Sequence, residues 1–375
     1  MNQDWISIWG NAVSIAENRP ESYGKNITLR YPVRSPFAGD QLRLTFDNYC
    51  GTEAITIDKI TVRKERLFYP VTFHGKPQIT IDAGKCIETD ALNLPVAVDE
   101  RLEISFYLAD YTLLRSAVYV SGPLSEGLYA VGDQTLNPDI SIDISRKTNM
   151  FYFLSNVSLH TSCEKKHAIV CFGDSITAQA WPDYLKLRCK KEGACGTSII
   201  RRATSGSRIL REYNCITYES YGLKGTHRFE HEVPTDGADT VIIQQGINDI
   251  IHPVGVDVNP FRPMTDLPAV EELIEGMRWY IEKARSYHYQ VYVGTLLPIE
   301  GWRTYAPFRE RLRNEFNNWI RTTDLIDGCI DFDLAVRSPK NPKAFMDGFD
   351  SGDHLHPSLR GYEAMAVAVP QALLY

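Results

Sequence analysis

The hydrophobic period of this chain changes once, and that change constrains what it can fold into. From about Asn26 to Val157, apolar and polar residues alternate in short runs. Examples are Ile27-Thr28-Leu29-Arg30-Tyr31, Leu42-Arg43-Leu44-Thr45-Phe46, Ile55 to Val62, Leu102-Glu103-Ile104-Ser105-Phe106 and Phe151-Tyr152-Phe153-Leu154. Turns are marked by Gly122-Pro123, Gly132-Asp133 and Asn137-Pro138, and no long helical pattern intervenes. Period two at this spacing predicts an antiparallel β-sandwich, jelly-roll-like, each sheet with one dry and one wet face. From Lys166 onward, strands alternate with helices. Ala168 to Phe172, Val241 to Gln245, Val291 to Thr295 and Cys329 to Asp331 read as strands. Trp181 to Lys191, the series Val270, Leu273, Ile274, Met277, Ile281 and Ala284, the series Phe308, Leu312, Phe316, Trp319 and Ile320, and Arg360 to about Leu373 read as helices. That alternation predicts right-handed crossovers and a parallel sheet covered on both sides, a three-layer α/β/α domain. At 375 residues the chain exceeds one small domain. The polar stretch from Leu159 to Lys165 sets the expected boundary, giving domains 1–160 and 161–375.

The chemistry-bearing residues fall at the ends of the second domain's strands. Phe172-Gly173-Asp174-Ser175-Ile176-Thr177 joins a buried strand to a helix, so Ser175 projects from the carboxyl edge of the sheet. Alone, Gly-Asp-Ser-Ile suits any strand-to-helix turn. Two further segments change its weight. Gly246-Ile247-Asn248-Asp249 follows the strand ending at Gln245, and Asp353-His354-Leu355-His356-Pro357-Ser358 precedes the last helical pattern. A serine, a sheet-edge asparagine, an aspartate and a histidine three residues later are the parts of an acyl-transfer site.

With these blocks in order, the sequence resembles the SGNH hydrolases, also called the GDSL esterase/lipase family. Gly173-Asp174-Ser175, Gly206 of Ser205-Gly206-Ser207-Arg208, Gly246-Ile247-Asn248-Asp249 and Asp353-His354-Leu355-His356-Pro357 carry the resemblance. It implies that Ser175 is the nucleophile, His356 the base and Asp353 the carboxylate that orients it. It implies an oxyanion hole made by the backbone N–H groups of Ser175 and Gly206 and the side-chain amide of Asn248. Ser207 stands where many relatives carry asparagine, so the shape of that loop is open, although the Gly206 donor is backbone. Other residues compete for these roles. His354 neighbours the base, and the family spacing favours His356, leaving His354 a loop or rim residue. Asp331 and Asp333 end a strand, but Asp353 shares one short loop with the base. His227, His231 and His252 fit no compact metal motif, so no metal and no cofactor is expected.

The remaining composition narrows the class. Hydrophobic residues make up 43% and charged residues 23%, as in soluble globular proteins, and the net charge of −7 argues against nucleic-acid binding. No apolar run of about 18 residues spans a membrane. Met1-Asn2-Gln3-Asp4-Trp5-Ile6 carries no secretory signal, which points to the cytoplasm, or to a secreted protein whose leader was removed. Cysteines 50, 86, 163, 171, 189, 195, 215 and 329 form no regular framework and read as reduced. Trp5 to Trp9 is expected at an edge of the first domain or against the second, with a tryptophan platform for sugar as the functional alternative. The two-domain layout is similar to bacterial carbohydrate esterases of the family that remove acetyl groups from plant polysaccharides. The expected function is therefore serine-dependent hydrolysis of short acyl esters, O-acetyl above all, on a small-molecule or oligosaccharide substrate. The alternatives are a broad carboxylesterase or lysophospholipase-type enzyme, and a glycan-binding protein with a vestigial hydrolase domain.

Overall fold

In a computed structural model, residues 4–16, 22–194 and 196–375 are described. Met1 to Gln3 of the N-terminal segment and Cys195 lie outside the described residues. The chain divides into two compact units. One comprises Met1–Ala168, Cys195–Ile200 and Thr235–Gly237, and the other Ile169–Ala194, Arg201–Pro234 and Ala238–Tyr375.

The alternating runs of the first unit form two principal sheets with antiparallel pairing, a β-sandwich. One sheet orders Trp5–Gly10, Leu154–His160, Gly39–Asp47 and Cys86–Glu88, with Leu92–Val96 also on Gly39–Asp47. The other orders Ser145–Thr148, Gly127–Val131, Ile27–Arg34, Arg101–Leu108, Lys59–Lys64 and Leu67–Val71. Period two puts Leu102, Ile104, Phe106 and Leu108 on one face, and all four are fully buried. Phe46 from the first sheet meets Phe106 from the second edge-to-face at 5.2 Å, and Tyr31 meets Phe106 at 5.6 Å. These rings are the meeting surface of the sandwich. Two expected strands are interrupted. Ile55 to Val62 breaks at Asp58, whose carboxylate accepts the Ala109 N–H at 2.8 Å, and Phe151 to Leu154 breaks at Phe153, which adopts φ 60°. Trp5 and Trp9 lie on an edge strand as expected, but both are buried, and the Arg43 guanidinium covers Trp5 at 3.9 Å. They are core residues, and the sugar-platform alternative is overturned.

Strands β1 (His167–Gly173), β2 (Thr197–Ala203), β3 (Ala238–Gln244), β4 (Gln290–Gly294) and β5 (Gly328–Ile330) form one parallel sheet in the order β2-β1-β3-β4-β5, most of it in the second unit. The uninterrupted apolar run Ala168 to Phe172 is fully buried, as a central parallel strand requires. The helices are α1 (Ser175–Ala178), α2 (Trp181–Glu192), α3 (Gly225–Glu232), α4 (Ile247–Ile251), α5 (Val270–Ser286), α6 (Pro307–Thr322), α7 (Phe332–Val336) and α8 (Leu359–Ala368). They pack in two groups, α8 against α2 and α7, and α5 against α3 and α6. The result is the three-layer α/β/α domain. The expected last helix stops at Ala368 because Pro370 forces Val369 into an extended conformation, and the chain resumes as a short 3-10 turn. Phe308, expected in the apolar stripe of α6, is 39% exposed in its first turn, while Leu312, Phe316 and Ile320 are buried.

Phe106→Ala should lower the stability of the first unit by about 3–5 kcal/mol, because it empties the contact between the two sheets. Denaturant unfolding followed by tryptophan fluorescence measures this. A loss below about 1 kcal/mol would mean that the ring does not bridge the core.

Candidate active site

The order β2-β1-β3 makes the carboxyl ends of β1 and β3 a topological switch point, where the chain's progression across the sheet reverses. Ser175 leaves β1 there as the first residue of α1. Asp174 caps that helix, its carboxylate accepting the Ile176 N–H at 3.0 Å. Asn248 enters the same region on α4, directly after β3, and is buried. Gly206 follows β2 with φ +79°, and a Cβ there would stand 2.4 Å from Cγ of Tyr221. Only glycine meets both demands.

The last block comes from the loop before α8. His356 Nε2 lies 2.9 Å from Ser175 Oγ, and His356 Nδ1 lies 2.7 Å from Asp353 Oδ2. The other carboxylate oxygen of Asp353 accepts the backbone N–H groups of Leu355 (2.9 Å) and His356 (2.8 Å) and the Ser351 hydroxyl (3.1 Å). Partial burial opposes ionisation of Asp353, but the hydrogen bonds from the His356 ring and these N–H groups prevail and hold the carboxyl well below its usual range. A carboxylate that stays charged against Nδ1 selects the tautomer with Nε2 free to take a proton, and it stabilises the imidazolium.

The competing residues go elsewhere. His354 pairs with Asp350 at 2.6 Å. Asp331 caps α7 and receives Arg321, and buried Asp333 receives Arg313, Arg321 and Arg337 at 2.7–2.9 Å. His227 pairs with Glu212 at 3.0 Å. His252 is buried against Tyr221 at a ring separation of 4.9 Å, and burial with nearby Arg262 and Arg208 keeps it neutral. Among the described residues no group of three or more His, Cys, Asp and Glu is arranged to hold a metal ion.

Several residues around the site escape sequence reasoning. Asp249 accepts the N–H groups of Ile209 (2.8 Å) and Leu210 (3.0 Å), tying α4 to the loop that follows Gly206. Ser207 offers its carbonyl to the Asn248 side-chain amide at 3.1 Å and its hydroxyl to Arg228 and Gln245. The aspartate of Gly-Ile-Asn-Asp was a visible signal for the first. Nothing local marks Arg228. Burial raises the Asp249 carboxyl to about 6 and the Asp174 carboxyl to about 7, in each case against a backbone N–H bond that favours the charged form.

The match to known families follows this geometry. Residues 171–364 match the model of the GDSL-like Lipase/Acylhydrolase family, just over half of the chain. The chain belongs to that family. Its activity is therefore the hydrolysis of acyl esters. Three solved structures illustrate the similarity of this acylhydrolase to others. A GDSL-like lipase from Bacteroides thetaiotaomicron is 19% identical, covering 57% of this chain and 91% of its own, with a TM-score of 0.41. The acetylxylan esterase Axe2 from Geobacillus stearothermophilus is 17% identical (55% and 94%, TM-score 0.40). A member of the lipolytic G-D-S-L family from Veillonella parvula is 16% identical (54% and 95%, TM-score 0.35). No curated protein matches the chain. Among the described residues, no helix of this acylhydrolase is long and apolar enough to cross a membrane.

The Asp174 carboxyl has a sign-definite consequence for stability. Its folded value of about 7 exceeds the ordinary value of about 3.9, so between these the folded state binds more protons than the unfolded state. Its contribution is full below about pH 4 and is lost as pH rises through about 7. Asp174→Asn keeps an acceptor for the Ile176 N–H and removes the titration. Chemical denaturation from pH 4 to 7 should therefore show a smaller decline for the variant than for the wild type, and equal slopes would refute the assignment.

Proposed function

We propose that this acylhydrolase is a serine esterase removing short acyl groups, acetyl above all, from carbohydrates or oligosaccharides. The observation that carries the reading is the continuous chain Ser175 Oγ, His356 Nε2, His356 Nδ1, Asp353 Oδ2, with steps of 2.9 and 2.7 Å. A serine hydroxyl is a weak nucleophile until a base adjoins it, and that base must be held in one tautomer.

In this reading Ser175 Oγ attacks the acyl carbonyl carbon while its proton passes to His356 Nε2. The carbonyl oxygen takes up the negative charge and receives hydrogen bonds from the backbone N–H groups of Ser175 and Gly206 and from Asn248 Nδ2. The Asn248 amide has two hydrogens, so its bond to the Ser207 carbonyl leaves one for the oxyanion. The intermediate collapses by breaking the bond to the alcohol oxygen, which leaves with the proton from Nε2. Water then attacks the acyl-serine, Nε2 accepts its proton and returns one to Ser175 Oγ, and the carboxylic acid departs.

Aromatic and polar side chains near Gly206 support the carbohydrate substrate. Tyr221 packs on Gly206, Tyr218 and Tyr221 are half-buried at a ring separation of 5.5 Å, and Asn259 and Arg262 border Tyr218. Half-exposed rings with polar neighbours suit the apolar faces and hydroxyls of a sugar. A long acyl chain would instead need a continuous apolar lining, at about 0.8 kcal/mol per methylene buried.

Ser175→Ala and His356→Ala should each lower kcat by about a thousandfold or more, because members of one catalytic unit fail together. Asn248→Ala should lower it by about a hundredfold to a thousandfold. Steady-state assays on folded variants test this, and near-wild-type turnover by His356→Ala would sink the site. Turnover should also peak with acetyl esters and fall steeply beyond butyryl. A preference for octanoyl or palmitoyl esters would replace the carbohydrate reading with a lipid esterase, and binding of acetylated glycans without hydrolysis would replace it with a vestigial binder.

A further inference from the structure

Arg228 lies on α3, outside every motif block, and is buried. A guanidinium has five N–H donors, and each finds an acceptor within the second unit. Nε and one Nη2 hydrogen bond the two oxygens of Glu232, one turn on, at 2.9 and 2.7 Å. The other Nη2 hydrogen reaches the Arg202 carbonyl at 3.3 Å, near the end of β2. Nη1 reaches the Gly173 carbonyl at 3.3 Å, two residues before Ser175, and the Ser207 hydroxyl at 2.9 Å, one residue after Gly206. The planar group also lies over Phe172 at 4.9 Å. One rigid fork thus holds the end of β1, the end of β2 and the Gly206 loop at set separations.

Ser207 is the other half of this device. Its hydroxyl has one hydrogen and two lone pairs. The hydrogen goes to the Leu223 carbonyl at 3.1 Å, and the lone pairs take Arg228 and Gln245 Nε2, the latter at 3.1 Å. Tyr280 in turn fixes Gln245 at 2.7 Å. The Ser207 carbonyl takes the Asn248 amide. A single residue therefore connects Gly206, Asn248 and Arg228.

We propose that Arg228 is a positioning residue that, through the Gly173 carbonyl and the Ser207 hydroxyl, sets the Gly206 N–H and the Asn248 amide relative to Ser175. This rests on the assignment of Ser175, Gly206 and Asn248 made above. Donors misplaced by a few tenths of an ångström still admit substrate but no longer match the position the oxyanion occupies, so the loss falls on turnover and not on binding.

Ser207→Ala, which removes one buried oxygen, and Arg228→Lys, which keeps the charge without the fork, are the variants. The readouts are kcat and KM for an acetyl ester, the Ki of a phenylboronic acid as a tetrahedral mimic, labelling by a fluorophosphonate, and thermal unfolding. In folded protein, kcat should fall about tenfold or more, KM should stay within about twofold, and the boronate should weaken in parallel with kcat. A kcat within about twofold of wild type, or a loss confined to KM, overturns the proposal. If Arg228→Lys does not fold, Ser207→Ala alone decides between these outcomes. Wild-type labelling at Ser175 separates the two levels: labelling with an unchanged Ser207→Ala defeats only Arg228, whereas labelling elsewhere defeats the site reading and this proposal with it.

Discussion

The placement of β1 between β2 and β3 is the constraint on which the site depends. Neighbouring strands of a sheet are about 4.8 Å apart, so the loops leaving these three strands are forced together whatever their sequences. Ser175, Gly206 and Asn248 each sit just past one of those strand ends. Asp353 and His356 come from far along the chain, the histidine 181 residues from Ser175. Its loop carries its own order, since Asp353 binds the ring and two backbone N–H groups of the segment it belongs to. Local closure of that loop means that the long-range part of the arrangement is one contact.

Beneath the site the second unit is unusually polar for a core. Asp174, Asp249, Arg228, Glu232, Ser207 and Gln245 are all buried. Burying such groups is unfavourable unless each finds a partner, and a group left unpaired loses about 1–3 kcal/mol. The partners include the backbone N–H groups of Ile209 and Leu210 in the loop after Gly206, and the carbonyls of Gly173 and Arg202 at the ends of β1 and β2. The same bonds that repay desolvation therefore give the loops a fixed shape. Preorganised donors depend on such loops, because a flexible loop would have to order itself during each turnover.

The first unit solves a simpler problem. Its strands bury alternate residues, and its core is a set of interlocked rings that includes Tyr31, Phe46, Phe106 and Phe151. Trp5 and Trp9 belong with them despite their position near the chain start, where exposure would have made them candidates for ligand stacking. Residue type does not distinguish a structural tryptophan from a binding one; burial does.

Periodicity determined the architecture by itself: period two for the sandwich, and apolar runs separated by helical spacing for the α/β sheet. Both are local properties of consecutive residues. Motif order likewise singled out Ser175, Gly206, Asn248, Asp353 and His356 as candidates, and the structure brings them to one edge of one sheet or to the loop that reaches it. Element ends were legible where a breaker stood beside them. Gly193 closes α2 with φ 68°, whereas the effect of Pro370 on the last helix and the break at Phe153 required the backbone path. What only the tertiary structure decided were the partners. Asp331, Asp333 and Asp353 are alike as residues, and they part because three arginines converge on the first two while His356 meets the third. Arg228 has no signal in its neighbourhood because its meaning lies in Gly173, Arg202 and Ser207, between 21 and 55 positions away. Hydrogen bonds of that span leave no period in a sequence, and only folding brings their ends together.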